Sequence, residues 1–214
     1  MEPFTAMAGN WYSQRMNHTE VVWRELLARE ESLGRRRYAN LASVAAELGL
    51  PVSTVHRALQ RPMAIGAVTR RPGGGFSLVD PLRLLVLWAG HRNMAGDLAL
   101  RREIRAPATE VERQLPEGFL LSGFGAVVAR RAGNRVSDYD RVVCYGDPAR
   151  LPDPWPAGER GGSTVLEVHT SDPWLGRYGP VVPLCQAFVD LFNTPGWPAA
   201  RFIESLIGEL ARAA

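Results

Sequence analysis

Residues 53 to 61 read Ser-Thr-Val-His-Arg-Ala-Leu-Gln-Arg, and Ser53, Thr54, His56, Arg57, Gln60 and Arg61 are side chains able to contact phosphates or base edges in a DNA groove. Val55, Ala58 and Leu59 stand between them at the spacing of one buried helix face. More positive charge flanks the run: Arg35, Arg36 and Arg37 upstream, Arg70 and Arg71 downstream. Between Leu33 and Val79 these five, Arg57 and Arg61 face Glu47 alone, so the net charge of +3 is concentrated in one short region. All 25 basic side chains are arginines, whose planar fork suits phosphate and guanine better than an ammonium does. An ordinary solvated helix also shows a polar face, so the neighbouring elements must decide.

A second pair with chemical potential is Asp138 and Asp140. Two residues apart on a strand, they would face the same side, as a shared metal site needs. Cys144 and Cys185 lie far apart, without a Cys-x-x-Cys or a nearby histidine. They read as buried thiols and not as a zinc site or a disulfide framework. No cofactor and no resident metal is expected.

The elements around the polar run follow from local signals. Asn40 is a helix cap, Leu41, Val44, Ala45 and Leu48 recur at helical spacing, and Gly49 ends the helix in a left-handed conformation. Leu50-Pro51-Val52 leads to Ser53, expected to cap a second helix, with small Ala45 where the two cross. Upstream, Val22, Trp23, Leu26 and Leu27 mark a first helix, and Arg35 to Arg37 fall in the loop after it. Downstream, strands over 67–71 and 76–79 flank a turn at Pro72 to Gly75, with Arg70 and Arg71 at the rim. Helix, helix, helix and hairpin in this order resemble the winged helix-turn-helix of bacterial and archaeal regulators. The resemblance implies duplex DNA as partner, read by residues 53–61. Single-stranded nucleic acid fits less well, since only Tyr38 and Phe76 offer stacking surfaces.

From Pro81 the chain reads as a buried helix ending near His91, taken as a polar cap or interface residue, followed by loop and short helix. An α/β unit begins near Gly118: strand 119–121, glycine turn 122–125, helix 126–131, strand 142–145. This layout is similar to the nucleotidyltransferase fold. There a glycine turn at a helix N-terminus receives phosphates and an Asp-x-Asp on the next strand binds magnesium. The likeness implies Asp138 and Asp140 as ligands, with Glu167 as the third carboxylate from a neighbouring strand. Two departures argue against catalysis: Phe124 stands where a phosphate should approach, and Arg141 can neutralise the acids by pairing with them.

The last part of the chain carries Gln186, Asp190 and Leu191 in a Gln-x-x-x-Asp-Leu pattern, then Pro195-Gly196, and Leu121-Ser122-Gly123 precedes them. These features resemble the AbiEi-type antitoxins and regulators of type IV toxin–antitoxin pairs. That resemblance implies a repressor often acting on its own operon, forming a homo-oligomer on DNA, with a cognate protein as a possible further partner. Phe188, Leu191 and Phe192, with Phe202, Ile203, Leu206, Ile207 and Leu210, read as the core of a helix pair.

The expected fold class is therefore α+β. A flexible extension over residues 1–18 precedes a winged helix-turn-helix over 19–80, connecting helices over 81–117 and an α/β domain over 118–214. Neither a membrane-length apolar run nor a signal-peptide core is present, so a cytoplasmic protein is expected. Transcriptional repression is the leading function, and a nucleotidyltransferase targeted by its DNA-binding domain is the alternative.

Overall fold

The computed structural model describes residues 18–133, 136–156 and 161–213, with the side chains of the final helix described through Glu209. The extension expected over residues 1–18 lies outside the described residues except for His18, which opens the first helix. The architecture is mixed α+β, built around two sheets.

The N-terminal part holds α1 (His18–Leu33), β1 (Arg37–Tyr38), α2 (Leu41–Leu48), α3 (Val52–Ala64), β2 (Val68–Arg70) and β3 (Phe76–Leu78). The three strands form one antiparallel sheet in the order β1-β3-β2. The loop expected at 35–37 thus contains part of a strand. Tyr38 is fully buried and stacks on Phe76 at 4.8 Å, which pulls the segment onto the hairpin. Gly75 permits the approach: a Cβ there would collide with the Tyr38 carbonyl oxygen.

Helix α4 (Pro81–His91) is capped by Asp80, which accepts from the Arg83 amide at 2.9 Å. Next come α5 (Met94–Asp97), β4 (Leu98–Ile104), α6 (Ala108–Arg113), β5 (Leu120–Ser122), α7 (Gly123–Arg130), β6 (Arg141–Tyr145), β7 (Thr164–His169), α8 (Leu184–Phe192) and α9 (Trp197–Ala213). The stretch 81–117, expected to be helical, therefore contains a seven-residue strand. The second sheet runs β4-β7-β6-β5, with β6 and β7 parallel and both outer pairs antiparallel.

Alternation along β6 and β7 sorts side chains between two layers. Val142, Cys144, Leu166 and Val168 join a core with Ile104, Val111 and Phe119, against α6. Tyr145, on the opposite face, joins the larger core, which runs through α7, α8 and α9 to α4 and α1. Cys144 and Cys185 are buried free thiols, as expected, and burial pushes the Cys144 thiol up to about 12. Phe188, Leu191, Phe202 and Leu206 are buried between α8 and α9, with Ile203 and Ile207 partly buried beside them. Phe192 is 46% exposed and lies outside that helix-pair core, and the Leu210 side chain lies outside the described residues.

At the C-terminal end of β6 lies a buried polar cluster. Asp190 is fully buried and accepts hydrogen bonds from Ser122 Oγ (2.6 Å), Tyr145 Oη (2.8 Å) and Gln186 Nε2 (3.0 Å). Ser122, Gln186 and Asp190, two of them far from the third in sequence, thus meet in one network that ties β5 and β6 to α8. No helix among the described residues is long and apolar enough to cross a membrane.

Candidate nucleic-acid interface

The corner between α2 and α3 is fixed by its own backbone. Asn40 Oδ1 caps α2 by accepting from the Ser43 amide at 2.7 Å. Gly49, with φ +64°, ends the helix, its amide bonding to the Ala46 carbonyl while the Leu50 amide reaches the Ala45 carbonyl at 2.9 Å. This paired closure satisfies the last carbonyls of α2 and needs a residue at ease with positive φ. Helix α3 then begins at Val52 after Pro51, so Ser53 sits within its first turn and does not cap it.

Two indoles hold the corner from outside. Pro62 lies inside α3 and has no amide hydrogen, so the Ala58 carbonyl lacks its helical donor. Trp23 Nε1 of α1 donates to that carbonyl at 2.7 Å and locks the angle between α1 and α3. Trp174 Nε1 donates at 2.7 Å to the Leu48 carbonyl at the end of α2. Trp23→Phe is expected to lower unfolding free energy by about 1–3 kcal/mol through the orphaned carbonyl, beyond any change in packing. In a Pro62→Ala background the backbone supplies a donor, so denaturant titrations of the four-member cycle should show a smaller penalty.

With Val55, Ala58, Leu59 and Pro62 buried, Ser53, His56, Arg57, Gln60 and Arg61 are exposed and Thr54 is half-buried. Residues 53, 56, 57, 60 and 61 recur at three- and four-residue steps, so α3 carries its donors in one row. Arg70 and Arg71 are exposed at the end of β2 and the start of the glycine turn, and Arg37 is exposed on β1, opposite Ser77. None of Arg37, Arg57, Arg61, Arg70 and Arg71 pairs with an acid among the described residues.

Arg35 and Arg36 are different. Arg36 Nη2 lies 2.7 Å from Glu30 Oε1, while Arg35 lies 3.8 Å from Glu47 and 5.0 Å over the Tyr38 ring. Arg29 also binds Glu47, the one acid of the basic region, and so holds it on α1.

The carboxylates of the second sheet do not converge. Asp138 and Asp140 precede β6, which starts at Arg141, and neither is buried. They therefore do not alternate along a strand. Glu167 lies within β7 and is nine-tenths buried, held by Arg141 Nη1 at 2.5 Å with Arg101 Nε at 3.6 Å. Pairing by Arg141 thus applies to Glu167. Among the described residues no group of three or more His, Cys, Asp or Glu could hold a metal ion.

The glycine turn expected at 122–125 is shorter than that: Gly123, with φ +55°, makes the junction, and α7 starts there. Phe124 points inward, stacked on Tyr139 at 4.9 Å and edge-on to Phe202 at 5.1 Å, so it does not obstruct a phosphate. Gly123, Phe124 and Gly125 are all buried, and a Cβ on Gly125 would collide with Glu112 Oε1. Burial of this first turn, not a bulky side chain, closes the helix end. No protein-family model matches the chain, and no curated protein or solved structure is significantly similar to it.

Proposed function

We propose that this chain is a sequence-specific duplex-DNA-binding transcriptional regulator, acting as a repressor, in which residues 19–80 form a winged helix-turn-helix. The observation that carries the reading is the row of exposed polar side chains on α3, flanked by arginines of the β2–β3 hairpin and β1 that pair with no acid among the described residues. A helix of this length presented by a locked corner suits the major groove, and a hairpin with terminal arginines suits the neighbouring phosphates. In this reading Ser53, Thr54, His56, Arg57, Gln60 and Arg61 face base edges and nearby phosphates, and Arg37, Arg70 and Arg71 face the backbone. Arg35 and Arg36, engaged by Glu47 and Glu30, contribute mainly to the local field.

The AbiEi-like features, Ser122, Gln186 and Asp190 among them, support a repressor of this type, with two or more copies on repeated half-sites. For the rest of the chain we propose a nucleotidyltransferase-like scaffold that transfers no nucleotide. The β5–α7–β6 order with β7 parallel to β6 supports the scaffold. Asp138 and Asp140 in the loop before β6 and the arginine-held Glu167 support its inactivity.

Selection of genomic fragments by the purified protein, followed by footprinting, tests the proposal. A protected, recurring duplex motif is expected, and retention without any common motif contradicts sequence-specific binding. Arg70→Ala with Arg71→Ala should weaken binding to all duplexes and reduce the slope of log K against log salt by about 0.9 for each phosphate that these arginines neutralise. The preference among sequences should stay as it was.

A further inference from the structure

The second sheet ends at β5 on one side and at β4 on the other, and the two edges differ. At β5 the chain returns over residues 180–182: the Leu121 amide donates to the Pro180 carbonyl at 2.8 Å, and the Val182 amide to the Leu121 carbonyl at 3.1 Å. At β4, among the described residues, no strand and no backbone hydrogen bond meets residues 99–103 from the side away from β7. Strand β4 is seven residues long, whereas β1 and β2, the edges of the first sheet, have two and three. An open edge of this length presents a row of N–H and C=O groups on which another strand can pair.

The side chains decide which strand fits. Arg101 and Glu103 face one side of the sheet, and Leu100, Arg102 and Ile104 face the other, towards α6. Arg101 and Glu103 are both exposed. Within the chain Arg101 reaches Glu167 at 3.6 Å, an acid already held by Arg141, and Glu103 Oε1 accepts from Ser163 Oγ at 2.6 Å. A second copy pairing antiparallel across this edge is related by a twofold axis normal to the sheet, so one residue stands opposite itself. Centred on Arg102, the pairing sets Arg101 opposite Glu103 of the second copy, Glu103 opposite its Arg101, and Leu100 opposite its Ile104. The two Arg102 side chains then meet at the axis, each with Asp153 of its own chain at 3.6 Å. Centred on Arg101 or on Glu103, the same strand sets like charges opposite each other at the axis with no compensating pair. Charge complementarity therefore selects one register.

We propose that β4 is a homodimer interface, through which two copies join edge to edge in the register centred on Arg102 and merge their four-stranded sheets into one. The proposal names a surface for the pairing of copies, but it concerns the protein without DNA. Its failure would leave the DNA-binding reading standing.

Sedimentation velocity of the full chain over a concentration series is the experiment, with two variants and their mixture. The unaltered chain should dimerise. Arg101→Glu sets acid against acid at both cross-strand pairs, and Glu103→Arg sets arginine against arginine, so each variant alone should dimerise about tenfold or more weakly. Mixed in equal amounts, the two should form a heterodimer about as tight as the original, because every acid again faces an arginine. Melting curves check that both variants fold. Amide exchange of residues 99–103 in the unaltered chain should slow as concentration rises, a readout that needs no variant. A monomer at every concentration, a dimer that both variants leave unchanged, a mixture no tighter than its components, or exchange in β4 independent of concentration overturns the proposal.

Discussion

Replacing Arg57 and Gln60 together by alanine is expected to erase most discrimination between the operator and random duplex DNA while leaving the fold intact. Both side chains are exposed on the row carried by α3, and no ion pair of Arg57 exists among the described residues. Truncation therefore removes no folded-state interaction of consequence. A bidentate arginine–guanine or glutamine–adenine contact is worth about 1–3 kcal/mol of discrimination each. Removing both should lower the specificity ratio by about 30-fold or more, at roughly tenfold per 1.4 kcal/mol. Non-specific affinity should fall far less, because Arg37, Arg61, Arg70 and Arg71 still meet phosphates. Competition titrations of operator against random DNA at fixed salt measure the ratio, and a melting curve confirms folding. An unchanged ratio contradicts the assignment of α3.

The largest effect on stability is expected at Asp190. Its carboxylate is the common acceptor for Ser122, Tyr145 and Gln186, all buried, and the charge of Arg92 lies close by. Asp190→Ala leaves the Ser122 and Tyr145 hydroxyls without an acceptor and takes from Gln186 Nε2 one of its two, the other being Tyr145 Oη at 3.1 Å, a change that costs about 2–6 kcal/mol. Against a total stability of about 5–15 kcal/mol, that is a large fraction. Asp190→Asn keeps the shape and one acceptor oxygen and should cost less. Urea titrations of the three proteins give the order, and a destabilisation below about 1 kcal/mol for the alanine variant contradicts the role assigned to the network.

What was legible in the sequence is what local signals control. Asn40, Gly49 and the glycine turn at 73–75 act through their own backbone, and Val22 to Leu27 show a helical period, so α1, α2 and the hairpin could be read directly. Strand β4 could not: it lies at the edge of its sheet, and Arg102 interrupts the alternation of Leu98, Leu100 and Ile104. Two of the misread features were boundary shifts. A helix starting at Gly123 instead of Ala126 turns Phe124 inward, and a strand starting at Arg141 leaves Asp138 and Asp140 in the preceding loop. The pairing of Arg36 with Glu30 and that of Arg24 with Asp172 depend on tertiary approach, the latter joining residues 148 apart. No spacing rule reaches that far.

The central claim is that duplex DNA meets the surface formed by α3 and the β2–β3 hairpin. Its most direct test compares two charge reversals of equal size: Arg57→Glu with Arg70→Glu, and Arg105→Glu with Arg201→Glu, four exposed positions. Duplex binding is measured by fluorescence anisotropy at several salt concentrations. The first pair should abolish binding at every salt concentration tested, while the second forfeits only the modest share owed to total charge. Equal weakening by the two pairs, or binding untouched by the first, would contradict the account.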